Sequence, residues 1–139
     1  MFFKIHDIKK NYTALFFSAI FFLFVSCTTH QQPLIIGNWE LQSAEIKPAD
    51  AMPGNPDDVK GQLYSFNEDN SFYKTDPKNG HKKKGAYKIT KENNRSFLTF
   101  TDLSFPVDTK SEIIKLDQTS LILKIDFGNV IYTMSFVRK

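Results

Sequence analysis

The stretch LIIGNWELQS, residues 34–43, contains the only tryptophan of the chain, Trp39, two residues after Gly37. Gly37, Trp39 and Leu41 occupy alternate positions, so they lie on one face of a strand. A Gly-x-Trp step of this kind occurs at the closed end of ligand-binding barrels, and it also occurs where a tryptophan simply packs in a core. The number and order of the remaining strands bear on which interpretation holds.

The composition favours one globular domain built from strands. The chain has 139 residues, of which 24% are charged and 41% hydrophobic, and its 14 Phe and 5 Tyr favour sheet over helix. From Leu34 onward no stretch keeps a helical period of hydrophobic residues, whereas eight short runs show strand patterning. These runs are 34–46, 61–67, 71–75, 85–91, 96–102, 111–117, 120–127 and 130–138.

The short connections between these runs are typical of hairpins. Residues 67–71, 91–95, 117–120 and 128–129 are rich in residues that tolerate turn geometry, and none of these connections is long enough for a crossover helix. Closing eight consecutive hairpin strands into a barrel removes the exposed edges of an open sheet. We therefore predict an all-β, eight-stranded antiparallel up-and-down barrel, with a two-sheet sandwich as the alternative.

Alternation also predicts which residues face the barrel interior. The inward positions include Tyr87, Ile89, Ile114, Leu116, Leu123, Phe127, Tyr132 and Phe136. Arg138 has the same parity on the last strand, which neighbours the first strand in a closed barrel. An indole beside a guanidinium contributes about 0.5 to 2 kcal/mol. We therefore predict that Gly37, Trp39 and Arg138 close one end of the barrel.

The N-terminus has the organisation of an export signal. Three lysines precede an apolar run of twelve residues, 14–25, and the small residue Ser26 stands directly before Cys27, the single cysteine. As a helix this run rises only about 18 Å, which is too short for the ~30 Å hydrocarbon core of a bilayer. The pattern predicts a signal helix that is removed on export.

Val25-Ser26-Cys27 resembles the lipobox of bacterial lipoproteins. The resemblance implies cleavage before Cys27 and attachment of lipid, including palmitate, to its thiol and its new amino group. Several acyl chains, at about 0.8 kcal/mol per buried methylene, hold a protein durably on a membrane. A conventional signal peptide with a free cysteine and an uncleaved anchor are the alternatives. The predicted segments are the lipoprotein signal at 1–26, the lipidated cysteine and polar spacer at 27–33, and the barrel at 34–139.

The sequence argues against several classes of function. The segment before Cys27 carries three lysines and one aspartate, so the formal charge of +3 falls to +1 for residues 27–139, and nucleic acid is not an expected partner. The histidines of that part are His30, in the spacer, and His81, in the loop 76–85, so the sequence shows neither a pair at metal-ligand spacing nor a Ser-His-Asp set anchored on strands. We expect no catalytic residue, no metal and no cofactor.

The order of motifs resembles that of the lipocalin-like (calycin) domain in small bacterial lipoproteins. The matching pieces are IIGNWEL at 35–41, Phe66 with Asp69 and Phe72, GAYKI at 85–89, and the strands at 113–116, 121–123 and 132–138. The resemblance implies an eight-stranded barrel with Trp39 and Arg138 at one end and the long loop 47–61 near the other.

Two sets of residues are candidates for binding. An aromatic set could line an apolar pocket, with core packing as the alternative, and a basic set could hold an anionic group or an acidic partner, with a solvated hairpin tip as the alternative. The aromatic set is Tyr64, Phe66, Tyr87, Phe100, Tyr132 and Phe136. The basic set is Lys78, His81, Lys82, Lys83 and Lys84.

These observations predict a lipoprotein of the bacterial cell envelope, anchored through Cys27 and placed on the periplasmic face of the outer membrane. We expect its barrel to bind a small apolar or amphipathic ligand without catalysis. The alternative is a filled barrel that acts through the loops 47–61 and 76–85 as an interaction or structural module for an envelope protein.

Overall fold

Strand-patterned runs separated by turn residues give this chain a sheet that closes on itself. The computed structural model describes residues 31–51, 55–102 and 105–139. The predicted signal helix at 1–26, Cys27 and most of the spacer lie outside the described residues. Within the described part of the chain, no helix is both long enough and apolar enough to cross a membrane.

A short helix precedes the strands, and a single turn of 3-10 helix interrupts the first connection. The helix is α1 (Gln31–Ile35), and the 3-10 turn is Pro56–Val59. The strands are β1 (Gly37–Lys47), β2 (Leu63–Phe66), β3 (Ser71–Thr75), β4 (Lys82–Glu92), β5 (Arg95–Asp102), β6 (Phe105–Leu116), β7 (Ser120–Asp126) and β8 (Ile131–Arg138).

The eight strands form a closed barrel in sequence order, in which each strand pairs antiparallel with the next and β8 pairs with β1. This confirms the predicted all-β, eight-stranded up-and-down barrel and excludes the two-sheet sandwich. Because consecutive strands reverse direction, the connections alternate between the two ends of the barrel. The helix end carries α1 and the turns 67–70, 93–94 and 117–119. The loop end carries the connections 48–62, 76–81 and 127–130.

Asparagine provides the backbone geometry of two turns at the helix end. Asn70, Asn93 and Asn94 have φ values of 62°, 48° and 62°. Asparagine tolerates this left-handed region better than most residues because its short side chain bonds locally to the backbone. These turns let β2–β3 and β4–β5 form tight hairpins.

The inward faces of the strands meet in one hydrophobic core. Side chains that are less than 2% exposed alternate along β1 and β7, as expected for strands with one buried face. The buried apolar residues are Ile35, Trp39, Leu41, Tyr64, Phe66, Phe72, Tyr87, Leu98, Leu121, Leu123, Ile125, Met134 and Phe136.

Two of the predicted inward residues are exposed, so those predictions are wrong. Ile114 is 52% exposed because β6 bulges there: Ile113 pairs with Leu123 and Lys115 with Ile122, which leaves Ile114 as the extra residue. Phe127 is 55% exposed because β7 ends at Asp126. The other predicted inward residues are buried or pack against the core: Tyr87, Ile89, Leu116, Leu123, Tyr132 and Phe136.

Several strand boundaries also differ from the prediction. Leu34 belongs to α1 and not to the first strand, which begins at Gly37. β4 begins at Lys82 instead of Gly85, and β6 begins at Phe105 instead of Ser111. Residues 82–85 of the predicted loop 76–85 therefore belong to β4.

Candidate functional site

Trp39 and Arg138 lie together where the first and last strands meet. They are direct partners in the β1–β8 register, and the guanidinium carbon of Arg138 is 4.3 Å from the Trp39 ring. Trp39 is 0% exposed, and its Nε1 donates to the carbonyl oxygen of Ile35 at 2.7 Å. The indole therefore joins β1 both to β8 and to α1.

The Arg138 side chain extends this junction to three carbonyl groups. Its Nη1 donates to the Ile36 oxygen at 2.8 Å, its Nε donates to the Gln118 oxygen at 2.7 Å, and its Nη2 donates to the Leu34 oxygen. The fork of guanidinium donors fits this task, because lysine cannot serve three separate acceptors with one fixed planar group. One side chain thus holds α1, the start of β1 and the β6–β7 turn.

Gly37 leaves the space that Arg138 occupies. A Cβ at this position would lie 2.5 Å from Nη1 of Arg138, and the backbone has φ +131°. A residue with a side chain is therefore disfavoured at this position, both by the contact with Arg138 and by the positive φ. A side chain at position 37 would strain the backbone and displace the Arg138 guanidinium from its place beside Trp39.

The candidate aromatic residues are brought together, and they contact one another. Five of the six lie in one group of rings with Phe72, in which the centroids of neighbouring rings are 5.0 to 6.5 Å apart. Tyr64 meets Phe136 edge to face at 5.1 Å, and Phe66 meets Tyr87 in the same way at 5.0 Å. Tyr132 packs against the core beside them. These contacts are those of a packed interior.

The hydroxyl of Tyr87 is also used within the protein. It donates to the Asn67 carbonyl oxygen at 2.7 Å, at the β2–β3 turn. Burial raises the pKa of Tyr87, so the phenol stays protonated and keeps donating. Tyr87 therefore fastens a turn at the helix end.

At the loop end, polar side chains line a cleft of about 240 Å³. Lys74 is opposite Tyr64 in the β2–β3 register and opposite Lys83 in the β3–β4 register, so both lysines share the inward face of Tyr64. The Lys74 Nζ lies 5.5 Å from the centroid of the Tyr64 ring. The lining residues are Gln62, Lys74, Asp76, Asn79, His81 and Lys83.

This cleft divides the predicted basic set. His81 and Lys83 line it, whereas Lys82 and Lys84 alternate with Lys83 along β4 and lie on the opposite face of the sheet. Lys84 instead approaches the Tyr73 ring, with its Nζ 5.9 Å from the centroid. Lys78 is exposed in the 76–81 loop, where its backbone N–H donates to Asp76 Oδ1 at 2.8 Å.

Four residues of the cleft lining are in neither predicted set of candidate residues: Gln62, Lys74, Asp76 and Asn79. Alternation could have found Lys74, because Phe72 two residues earlier faces the core. Gln62 gives no such signal, since it precedes a strand of only four residues.

The chain matches none of the protein-family models, curated proteins or solved structures with which it was compared. The resemblance to lipocalin-like lipoproteins therefore stays a prediction. Function is inferred from the side chains of this chain alone.

Proposed function

We propose that the chain is a lipid-anchored, non-enzymatic protein of the bacterial envelope, with a lipocalin-like barrel that binds its partner or ligand at the loop end. This proposal rests on the difference between the aromatic core and the polar residues at the loop end. The rings of Tyr64, Phe66 and Phe136 contact one another, whereas polar side chains line a cleft at the loop end.

The direction in which the chain enters the barrel supports the proposed orientation. The described residues begin at α1, on the helix end, and Cys27 precedes Gln31 by four residues. Four residues span at most about 14 Å when fully extended. A lipid on Cys27 would therefore hold the helix end close to the bilayer and turn the loop end away from it, toward the periplasm if the anchor is in the outer membrane.

The ring contacts favour a packed barrel over an apolar ligand pocket. Each aromatic pair contributes about 0.5 to 1.5 kcal/mol beyond the area it buries. A ligand inserted among Tyr64, Phe72 and Phe100 would have to replace several such contacts. The loops and the cleft are therefore the better binding surface.

The lipid anchor is tested by metabolic labelling with a palmitate analogue, followed by membrane fractionation. We expect the wild type to be labelled and membrane-bound, and Cys27→Ala to be unlabelled and to lose normal anchoring. The control adds a thiol at the exposed loop end, as Cys27→Ala with Asn129→Cys, and should also be unlabelled. A Cys27→Ala protein that is labelled or anchored like the wild type would refute the lipoprotein proposal.

The packed barrel is tested with the full chain purified in detergent. We expect a fluorescent fatty acid not to bind saturably, and native mass spectrometry to show the mass of the acylated chain alone. One tightly held lipid molecule per barrel, in addition to the covalent acyl chains, would instead support the apolar-ligand alternative.

A further inference from the structure

We propose that the loop-end cleft binds an acidic sugar, meaning a hydroxylated molecule that carries one carboxylate or phosphate group. This inference rests on the proposed function and deepens it, because it gives the chemical class of the ligand at the loop end. The relevant residues are those that line the cleft between β2, β3, β4 and the 76–81 loop.

The first step is the placement of positive charge. Lys74 and Lys83 are direct cross-strand partners on the inward face of β3 and β4, and both line the cleft. An anionic group in the cleft would accept a charge-assisted hydrogen bond from the Lys83 ammonium group.

The second step is the supply of hydrogen-bond acceptors. Gln62 Oε1 is buried and has no hydrogen-bond partner among the described residues. A buried amide oxygen without a partner is stabilised by accepting a hydrogen bond, and a hydroxyl group of a ligand would supply the donor. Asp76 uses Oδ1 to accept from the Lys78 N–H at 2.8 Å, and its other carboxylate oxygen is a second acceptor for a hydroxyl group.

The third step is the amide of Asn79. Its Oδ1 accepts from the backbone N–H of His81 at 2.9 Å, which leaves the NH2 group of the same side chain as a donor at the cleft. The cleft therefore combines ammonium donors, an amide donor, an orphan amide acceptor and one carboxylate. A simple anion would use only the donors, and a neutral sugar would not use the lysine charge.

The carboxylate of Asp76 also limits how much negative charge a ligand in the cleft can carry. It lies in the same lining as Lys74 and Lys83, so a polyanion would meet repulsion that a single acidic group on a hydroxylated ligand avoids. The lining thus favours one acidic group accompanied by hydroxyl groups.

The binding experiment titrates the ¹⁵N-labelled full chain in detergent with glucuronate, glucose 6-phosphate, glucose and inorganic phosphate. We expect both acidic sugars to give saturable shifts at Gln62, Lys74 and Lys83, with glucose and phosphate about tenfold weaker or more. Equal affinity for inorganic phosphate would show only an unspecific anion site and would overturn the proposal. Equal affinity for glucose, or an absence of saturable shifts, would also overturn it.

A pair of matched variants tests the assignment to the inward lysine. Lys83→Gln should weaken binding of both acidic sugars by about tenfold or more, because a charge-assisted bond is lost. Lys82→Gln, its neighbour on the outer face of β4, should bind like the wild type. If Lys83→Gln and Lys82→Gln bind the acidic sugars with equal affinity, the assignment of the site to the cleft is wrong. The titration can show no binding of acidic sugars to a chain that is acylated and does not bind the fatty-acid probe. In that case the proposed function is retained, and the proposed ligand class is wrong.

Discussion

The guanidinium of Arg138 lies 4.3 Å from the Trp39 ring, and the two residues are direct partners in the strand pairing that closes the barrel. The same guanidinium donates to carbonyl oxygens of Leu34, Ile36 and Gln118. One residue near the C-terminus therefore holds the first strand, α1 and the β6–β7 turn. This relationship gives Gly37 and Trp39 a structural role at the helix end, opposite the end at which we propose binding.

Replacing Trp39 by alanine should destabilise the barrel strongly. Trp39 is 0% exposed and contacts Arg138, so Trp39→Ala should lower the free energy of unfolding by about 3 to 5 kcal/mol. Chemical denaturation followed by circular dichroism measures the change. Val137→Ala on the exposed face of β8 is the control and should change it by less than about 1 kcal/mol. Similar stability of Trp39→Ala and wild type would show that the indole does not close the barrel.

Replacing Arg138 by lysine should also destabilise the barrel, although the charge is kept. Lysine carries all its donors on one nitrogen and cannot reproduce the spread of Nε, Nη1 and Nη2, so Arg138→Lys should cost about 2 to 3 kcal/mol. Lys139→Gln is the neighbouring control. It removes the solvent-screened ion pair with Glu40 and should shift the unfolding midpoint much less than Arg138→Lys does. If the two variants unfold at the same denaturant concentration, the hydrogen bonds of Arg138 are not important for stability.

Gly37 should tolerate alanine less well than another glycine with positive φ. Gly37→Ala places a Cβ 2.5 Å from Nη1 of Arg138, whereas nothing lies within 4 Å of a Cβ at Gly128, where φ is +89°. We expect Gly128→Ala to cost about 1 kcal/mol from backbone strain and Gly37→Ala to cost clearly more. Thermal unfolding of both variants measures the difference. If both variants lose the same free energy of unfolding, backbone strain alone explains the effect, and the contact between a Cβ at position 37 and Arg138 does not contribute.

Asp117 should make the barrel less stable in acid. Its Oδ1 accepts from the backbone N–H groups of Thr119 and Ser120 at 2.9 and 2.7 Å, and these bonds lower its pKa from 3.8 to about 2. Because the folded state favours the carboxylate, its stabilisation is complete above pH 3.8 and is lost as the pH falls toward about 2.

The variant Asp117→Asn separates this contribution from those of other carboxylates. Asparagine keeps an oxygen acceptor but has no charge to lose, so its unfolding midpoint should fall less than that of the wild type over the same acidic range. Thermal unfolding at a series of pH values measures both slopes. Parallel curves would contradict the assigned role of the Asp117 carboxylate.

The short hairpin connections predicted the strand order, and alternation placed Trp39 and Arg138 on the same face of neighbouring strands, because a closed barrel preserves the two-residue period. Alternation failed at Ile114, where one extra residue in β6 shifts the parity for the next residues. It failed at Phe127 because the strand ends one residue earlier than its apolar pattern. Boundaries of this kind depend on turn geometry and pairing partners, which the pattern of a single run does not contain.

For the candidate binding residues too, the sequence predicted which residues are involved but not how they are arranged in space. The aromatic residues were predicted as a set, but their mutual ring contacts depend on three-dimensional packing. The basic run is predicted as one patch, whereas its continuation into β4 places Lys83 on the face of the sheet that lines the cleft and Lys82 on the opposite face, with both side chains exposed. Alternation from Phe72 gives the face of Lys74, whereas its position opposite Lys83 depends on a strand register that the sequence alone does not align.

The orientation of the barrel on a membrane is the most direct test of the proposed function. One fluorophore is attached through Gln118→Cys at the helix end or through Asn129→Cys at the loop end, both of which replace exposed residues. An acylated Cys27 does not react with the fluorophore, so each chain should carry a single label. In vesicles that contain a headgroup quencher, we predict strong quenching at position 118 and weak quenching at position 129. Equal or reversed quenching, or a chain that does not stay on the vesicles, would contradict the proposal that the helix end is anchored and the loop end is free to bind.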